Sequence, residues 1–118
     1  MDVFEAIQKR HCCRSYDPNK EVSKDDVGKI IEAGKMAPSA GGIYPLGFMI
    51  IDDKEEIIKL TRAARESEYY YIEDASVNIA IVANVDKTEA KFGDRGRELY
   101  VAQDAAAAAE NMFLAATA

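Results

Sequence analysis

The segment GDRGRELYVAQDAAAAAENMFLAATA, Gly93 to Ala118, restricts the fold more than any other stretch of this chain. From Gly96 onward it reads as one long helix. Its middle, Ala105 to Ala109, has almost no side-chain bulk and the highest intrinsic helix propensity. Alanine lets a second helix come close, so this helix is expected at the centre, packed on several sides by its own domain or by a second subunit. Glu98 and Asp104 fall near its start, where the positive end of the helix dipole tolerates acids. The last turn, MFLAATA, carries no Gly, Asn or basic residue to stop it. The pattern is still helical at Ala118. The sequence is therefore expected to be the front part of a larger fold.

The remaining elements alternate. Asp2 and Glu5 form a capping-box pattern that starts a helix over Val3 to His11. RSYDPNKEV reads as an extended loop, because Pro18 disfavours helix at Asp17. Ser23 with Asp26 starts a second helix, and Val27, Ile30, Ile31 and Gly34 continue it at helical spacing to about Met36. GFMIIDD predicts a buried strand, KEEIIKLTRAAR a helix, and VNIAIVANV a second buried strand, apolar from Val77 to Val85. Two strands are a very small sheet for the long helix to cover, which again points to a larger fold. Tyr69 to Tyr71, in ESEYYYIEDA, cannot all face a core. They read either as an amphipathic loop with one or two rings packed down, or as a lid over a planar ligand. The length of 118 residues predicts one domain, 1–118.

The formal net charge of -6 argues against a nucleic-acid partner. No apolar run reaches the length of a membrane span, and charges interrupt MDVFEAIQKRHCC, so no secretory leader is expected. A soluble, cytoplasmic protein is the expectation. Cys12 and Cys13 are adjacent and cannot staple a fold. One histidine, His11, beside two neighbouring cysteines lacks the ligand spacing of a zinc site, so no metal is expected.

Two stretches carry chemistry. In KRHCCRSYD, Lys9, Arg10, His11 and Arg14 gather four nitrogen-bearing side chains in an acidic protein. A guanidinium matches phosphate oxygens in pairs. The same residues also suit an ordinary basic helix end. In APSAGGIYPLGF, Ala37 to Phe48, the small residues Ser39, Ala40, Gly41 and Gly42 bare the main chain between two stiffening prolines, Pro38 and Pro45. That spells a ledge for the edge of a flat polar ring, or simply a helix-to-strand connection. Taken together the stretches suit a phosphorylated flat cofactor.

In these residues the chain resembles the nitroreductase family of flavin enzymes. Arg10, His11, Cys12, Cys13, Arg14, Ser15 and Tyr16 stand in a motif like Arg-(Arg or His)-Ser-x-(Arg or Lys)-x-(Phe or Tyr). Ala37 to Leu46 stand in one like Ala-Pro-Ser-(Ala or Ser)-x-Asn-x-Gln-Pro-Trp. Gly93 to Leu114 are similar to the family's GERGRELYAxQDxAAAxQNLLLAA helix. The resemblance implies an α+β fold with a small, mainly antiparallel sheet flanked by helices, a long central alanine-rich helix, and a C-terminal part that is missing here. It implies that Arg10, His11, Cys12 and Arg14 hold the phosphate and ribityl chain of FMN. Pro38, Ser39, Ala40, Gly41 and Gly42 would line the ring, reaching over from the other subunit of a homodimer. NAD(P)H would reduce the flavin, and a nitro, quinone or similar small acceptor would reoxidise it. No acid–base side chain is assigned, because the cofactor does the hard step. The chain departs from the pattern at Cys12 (usually Ser, a better donor), Gly42 (Asn), Tyr44 (Gln) and Leu46 (Trp). PSAGGIYPL is closer to the branch that oxidises azoline rings in modified peptides. A catalytically silent flavin-binding or dimerisation module is the alternative from another class, and a thiol redox role for Cys12 and Cys13 a third.

Overall fold

A computed structural model describes residues 1–64 and 67–118, with the backbone alone for residues 67–70. The elements are α1 (Val3–Lys9), α2 (Lys24–Lys35), a 3-10 turn (Ala40–Gly42), β1 (Leu46–Ile51), α3 (Lys54–Ala63), a 3-10 segment (Ser67–Asp74), β2 (Asn78–Ala83), α4 (Val85–Phe92), a π-helical turn (Gly96–Tyr100) and α5 (Val101–Thr117). β1 and β2 pair antiparallel, Phe48 opposite Ile81 and Leu46 opposite Ala83. The α+β class and the small antiparallel sheet are as the resemblance implies.

The helix starts follow from their caps. The Glu5 N–H donates to the Asp2 carboxylate at 2.9 Å, and the Asp2 N–H donates back to Glu5 at 3.1 Å. The Asp26 N–H donates to Ser23 Oγ at 3.0 Å. Asp53 caps α3 by accepting from the Glu55 and Glu56 N–H groups at 3.0 and 3.2 Å. These bonds satisfy amides that a helix start leaves without partners.

Three boundaries differ from the sequence reading. α1 ends at Lys9, not His11, because the Arg10 backbone turns out of the helix at ψ 127°. Arg10, His11 and Arg14 therefore lie beyond the helix, and Lys9 is its last residue. β2 ends at Ala83, and Val85 opens α4, an element the sequence pattern did not predict. The strands are less buried than expected: Met49 and Ile50 on β1 and Val82 on β2 stay exposed. The side chains of Tyr69 and Tyr70 lie outside the described residues. The Tyr71 ring stands 6.2 Å from that of Tyr16, centroid to centroid.

α5 organises the packing. It contacts α1, α2, β2 and the π-helical turn. Its buried positions are Asp104, Ala108 and Met112, one stripe at four-residue spacing. α2 crosses this stripe closely: a Cβ on Gly34 would lie 2.9 Å from Met112 Cγ and Sδ. Beside the crossing, Asn111 Nδ2 donates to the Ala33 carbonyl at 3.1 Å. Among the described residues no helix is long and apolar enough to cross a membrane.

Candidate cofactor site

The small-residue passage forms a ledge at the first turns of α5. α2 ends at Lys35, and the chain then folds into the 3-10 turn, in which Gly41 and Gly42 take φ of 61° and 64°. Glycine reaches that region without the clash a side chain would meet. Tyr44 adopts it too, at φ 52°. The turn is held by Asp104, a buried carboxylate. Ser39 Oγ donates to it at 2.5 Å and the Ala40 N–H at 3.0 Å. Ser39 Oγ also accepts from the Tyr44 N–H at 2.9 Å. From α4, Lys91 Nζ donates to the Gly41 carbonyl at 3.3 Å, and Phe92 lies against the same glycine. Pro38, Gly41 and Gly42 are exposed, and Ser39 and Ala40 half-buried. The ledge is open to solvent on one side and braced by Phe92 and Lys91 on the other.

The basic stretch lies at the other end of α5. Arg10, His11, Cys12 and Cys13 line an open cleft of about 660 Å³ whose far wall includes Phe113 and Thr117. All of them but half-buried Arg10 are exposed, and so is Arg14. Arg10 Nε meets Glu110 Oε1 at 3.6 Å, and His11 Nδ1 lies 3.0 Å from the Lys9 carbonyl. Cys13 Sγ donates to the Ser15 carbonyl, and Tyr16 Oη donates to the Cys13 carbonyl. Among the described residues Arg14 has no ion pair or hydrogen bond. Burial, and then the neighbouring Cys13, push the Tyr16 phenol above its ordinary pKa, so it is neutral and able to donate.

These residues fit a phosphorylated flat ligand in two respects. Cations with free donors face a cleft, and bare main chain faces solvent. The fit is narrower at the ledge than glycine content suggests. The Ala40 N–H is bound to Asp104 and the Gly42 N–H to the Ser39 carbonyl. Among the described residues the Ser39 and Gly41 N–H groups are left without a partner.

Within one chain the two groups do not meet. Phe113 is nine residues beyond Asp104, about 14 Å further along the helix and turned about 900°, which is half a turn around it. The ledge and the basic stretch thus occupy opposite ends and opposite sides of α5. Arg10, His11 and Cys12 share the cleft at one end, Arg14 is not among its lining residues, and the small residues of the ledge lie together at the other end.

Sequence reasoning missed Asp104, taking it only as an acid near a helix start. The available signal was its register: a carboxylate four residues before Ala108 and eight before Met112, on the stripe that must be buried. It missed Lys91 and Phe92 because α4 was not predicted.

The Nitroreductase family pattern matches residues 7–68, just over half of the chain. An Archaeoglobus fulgidus protein, provisionally named an NADH dehydrogenase/NAD(P)H nitroreductase, is 30% identical over 115 residues, 98% of this chain and 61% of that one. Among solved structures, an FMN-dependent nitroreductase from Clostridium difficile superposes with a TM-score of 0.79 at 28% identity, covering 97% of this chain and 60% of the other. A provisionally named nitroreductase from Desulfovibrio desulfuricans, solved in complex with FMN, gives 0.74 at 30% identity, covering 98% and 62%. The fold is that of a nitroreductase-like protein. The chain belongs to the Nitroreductase family, and it spans about three fifths of the length of each of these relatives.

Proposed function

We propose that this chain forms the flavin-binding part of a homodimeric, cytoplasmic FMN-dependent oxidoreductase. It would pass reducing equivalents from NAD(P)H to a nitro compound, a quinone or a similar small acceptor. The observation that carries the reading is the placement of two complementary half-sites on opposite sides of one helix. A second copy lets the ledge of one protomer face the basic stretch of the other. Arg10, His11, Cys12 and Arg14 would bind the phosphate and ribityl chain. Pro38, Ser39, Ala40, Gly41 and Gly42 would support the ring. Bound flavin would supply the hydride chemistry. The protein orients it and excludes water from its face.

The test is a flavin titration of the purified protein with size-exclusion chromatography. FMN uptake by a dimer, with the flavin band bleached by NAD(P)H and restored by a quinone, is expected. A monomer that takes up no added FMN would overturn the proposal. A second reading, flavin binding or dimerisation without turnover, is favoured by the sparse donor set: a thiol at Cys12, no amide side chain at Gly42 or Tyr44, and, among the described residues, two free N–H groups on the ledge, at Ser39 and Gly41. It predicts FMN uptake with no NAD(P)H consumption. An azoline-type ring is the acceptor to try when nitro compounds and quinones fail.

A further inference from the structure

We propose that Asp104 is a positioning residue that decides which hydrogen-bond donors the ledge turns outward, leaving the Gly41 N–H to meet an acceptor atom on the ring edge. This rests on the flavin reading above. Asp104 is 5% exposed and sits on the stripe that α5 buries with Ala108 and Met112. A carboxylate on such a stripe is costly unless hydrogen-bonded. Among the described residues it has no cationic partner. Its compensation comes from the ledge: the Ser39 hydroxyl at 2.5 Å and the Ala40 N–H at 3.0 Å.

The chain of bonds continues outward. Ser39 Oγ, oriented by donating to Asp104, accepts from the Tyr44 N–H and closes the turn across its open end. Lys91 takes the Gly41 carbonyl on the other side. The Ser39 hydroxyl, the Ala40 N–H and the Gly41 carbonyl all point at protein, and the Gly42 N–H is bound within the turn. Among the described residues two ledge N–H groups keep no partner, that of half-buried Ser39 and that of exposed Gly41, and Phe92 and Lys91 occupy the space where a Gly41 Cβ would stand.

The test compares the wild-type chain with Asp104→Asn and Asn111→Ala. Asn keeps the volume of Asp but removes the charge and one acceptor. Asn111→Ala removes a different bond between α5 and the α2 region, to Ala33, and leaves the ledge alone. In Asp104→Asn, amide exchange at Ala40 and Tyr44 is expected to rise about tenfold, and FMN to bind about tenfold more weakly with a shifted flavin absorption band. Asn111→Ala is expected to lower the melting temperature and do neither. If Asp104→Asn fails to fold, Ser39→Ala breaks the same link without touching α5. Unchanged exchange at Ala40 and Tyr44 overturns the proposal whatever FMN does. Faster exchange with an unchanged FMN affinity and band overturns the ligand role alone. A wild-type protein that takes up no FMN overturns the functional reading, and is seen before any variant is made.

Discussion

The two ends of α5 solve the problem of binding in opposite ways. At the first turns, the ledge is fixed before any ligand arrives, by Asp104 from behind and by Lys91 and Phe92 from the side. At the last turns, the basic stretch runs past the helix with one contact at 3.6 Å between charged groups and one ring contact, Tyr16 with Tyr71, and the side-chain hydrogen bonds of His11, Cys13 and Tyr16 join residues two or three apart in sequence. Under the proposed function the contrast follows from what each end would recognise. A flat ring edge is recognised by a few short, directional bonds, and a misplaced donor loses them. Holding the backbone in advance removes an ordering cost at binding. A phosphate is recognised by charge, which acts over several ångströms and tolerates a mobile guanidinium. An exposed stretch held mainly by local bonds would be sufficient there under the proposed function.

This contrast is broken most directly by Gly41→Ala. The backbone at φ 61° disfavours any side chain by about 1–2 kcal/mol. The new Cβ would also stand 2.8 Å from Phe92 Cζ and 2.9 Å from Lys91 Nζ. The lysine can swing away. Phe92 is held edge-on by Tyr100, with ring centroids 5.0 Å apart, so the ring gives way only by disturbing α4. The expected loss is about 2–3 kcal/mol in urea unfolding, the largest among these variants. Gly42→Ala sharpens the point. Its φ of 64° is nearly the same, but a Cβ there meets nothing within 4 Å. Only the backbone term remains, about 1–2 kcal/mol. Equal losses at the two glycines would mean that α4 does not brace the ledge.

The ledge was legible in the sequence because small residues between prolines have few uses other than close approach of main chain. The reason for its rigidity was not. Asp104 is 65 residues from Ser39, and no local pattern links them. Only the helical register of α5, with its acid on the buried stripe, held the clue. α4 was missed for a different reason. Its eight residues follow β2 through a single residue, Asn84, so the apolar run at Val85 read as more strand. The caps at Asp2 and Ser23 were readable because each bond spans three residues; the two apolar runs marked strands but not their direction, and the antiparallel order came from the family resemblance alone. The basic stretch was recognised by composition, but its position relative to the ledge needed the turn count along α5, which requires knowing where the helix packs.

The other end of α5 predicts a smaller effect. Arg10→Ala removes a partly exposed pair whose geometry is loose, and unfolding free energy should fall by about 0.5 kcal/mol or less. A loss as large as that of Gly41→Ala would make the basic stretch a structural brace and end the contrast.

The smallest effect concerns the outer support of the ledge. Arg97, in the π-helical turn, donates to Glu89 at 2.6 Å and to Asp86 at 2.7 Å, tying α4 to the segment that leads into α5. The hydrogen bond from Arg97, more than the charge itself, holds the Glu89 carboxyl below its ordinary pKa of 4.5. A carboxyl lowered in the folded state binds its proton less readily there than in the unfolded chain. Its contribution is therefore complete above about pH 4.5 and is lost as the pH falls through the lowered folded value. The groups are exposed, so salt weakens the contribution as well. Glu89→Gln should melt slightly below the wild type at pH 7 in low salt, and the two should converge as the pH is taken well below 4.5. Because α4 carries Lys91 to the ledge, amide exchange at Tyr44 should quicken slightly in the variant at pH 7. A melting difference with no change at Tyr44 would show that α4 is anchored by Arg97 but does not pass that support to the ledge.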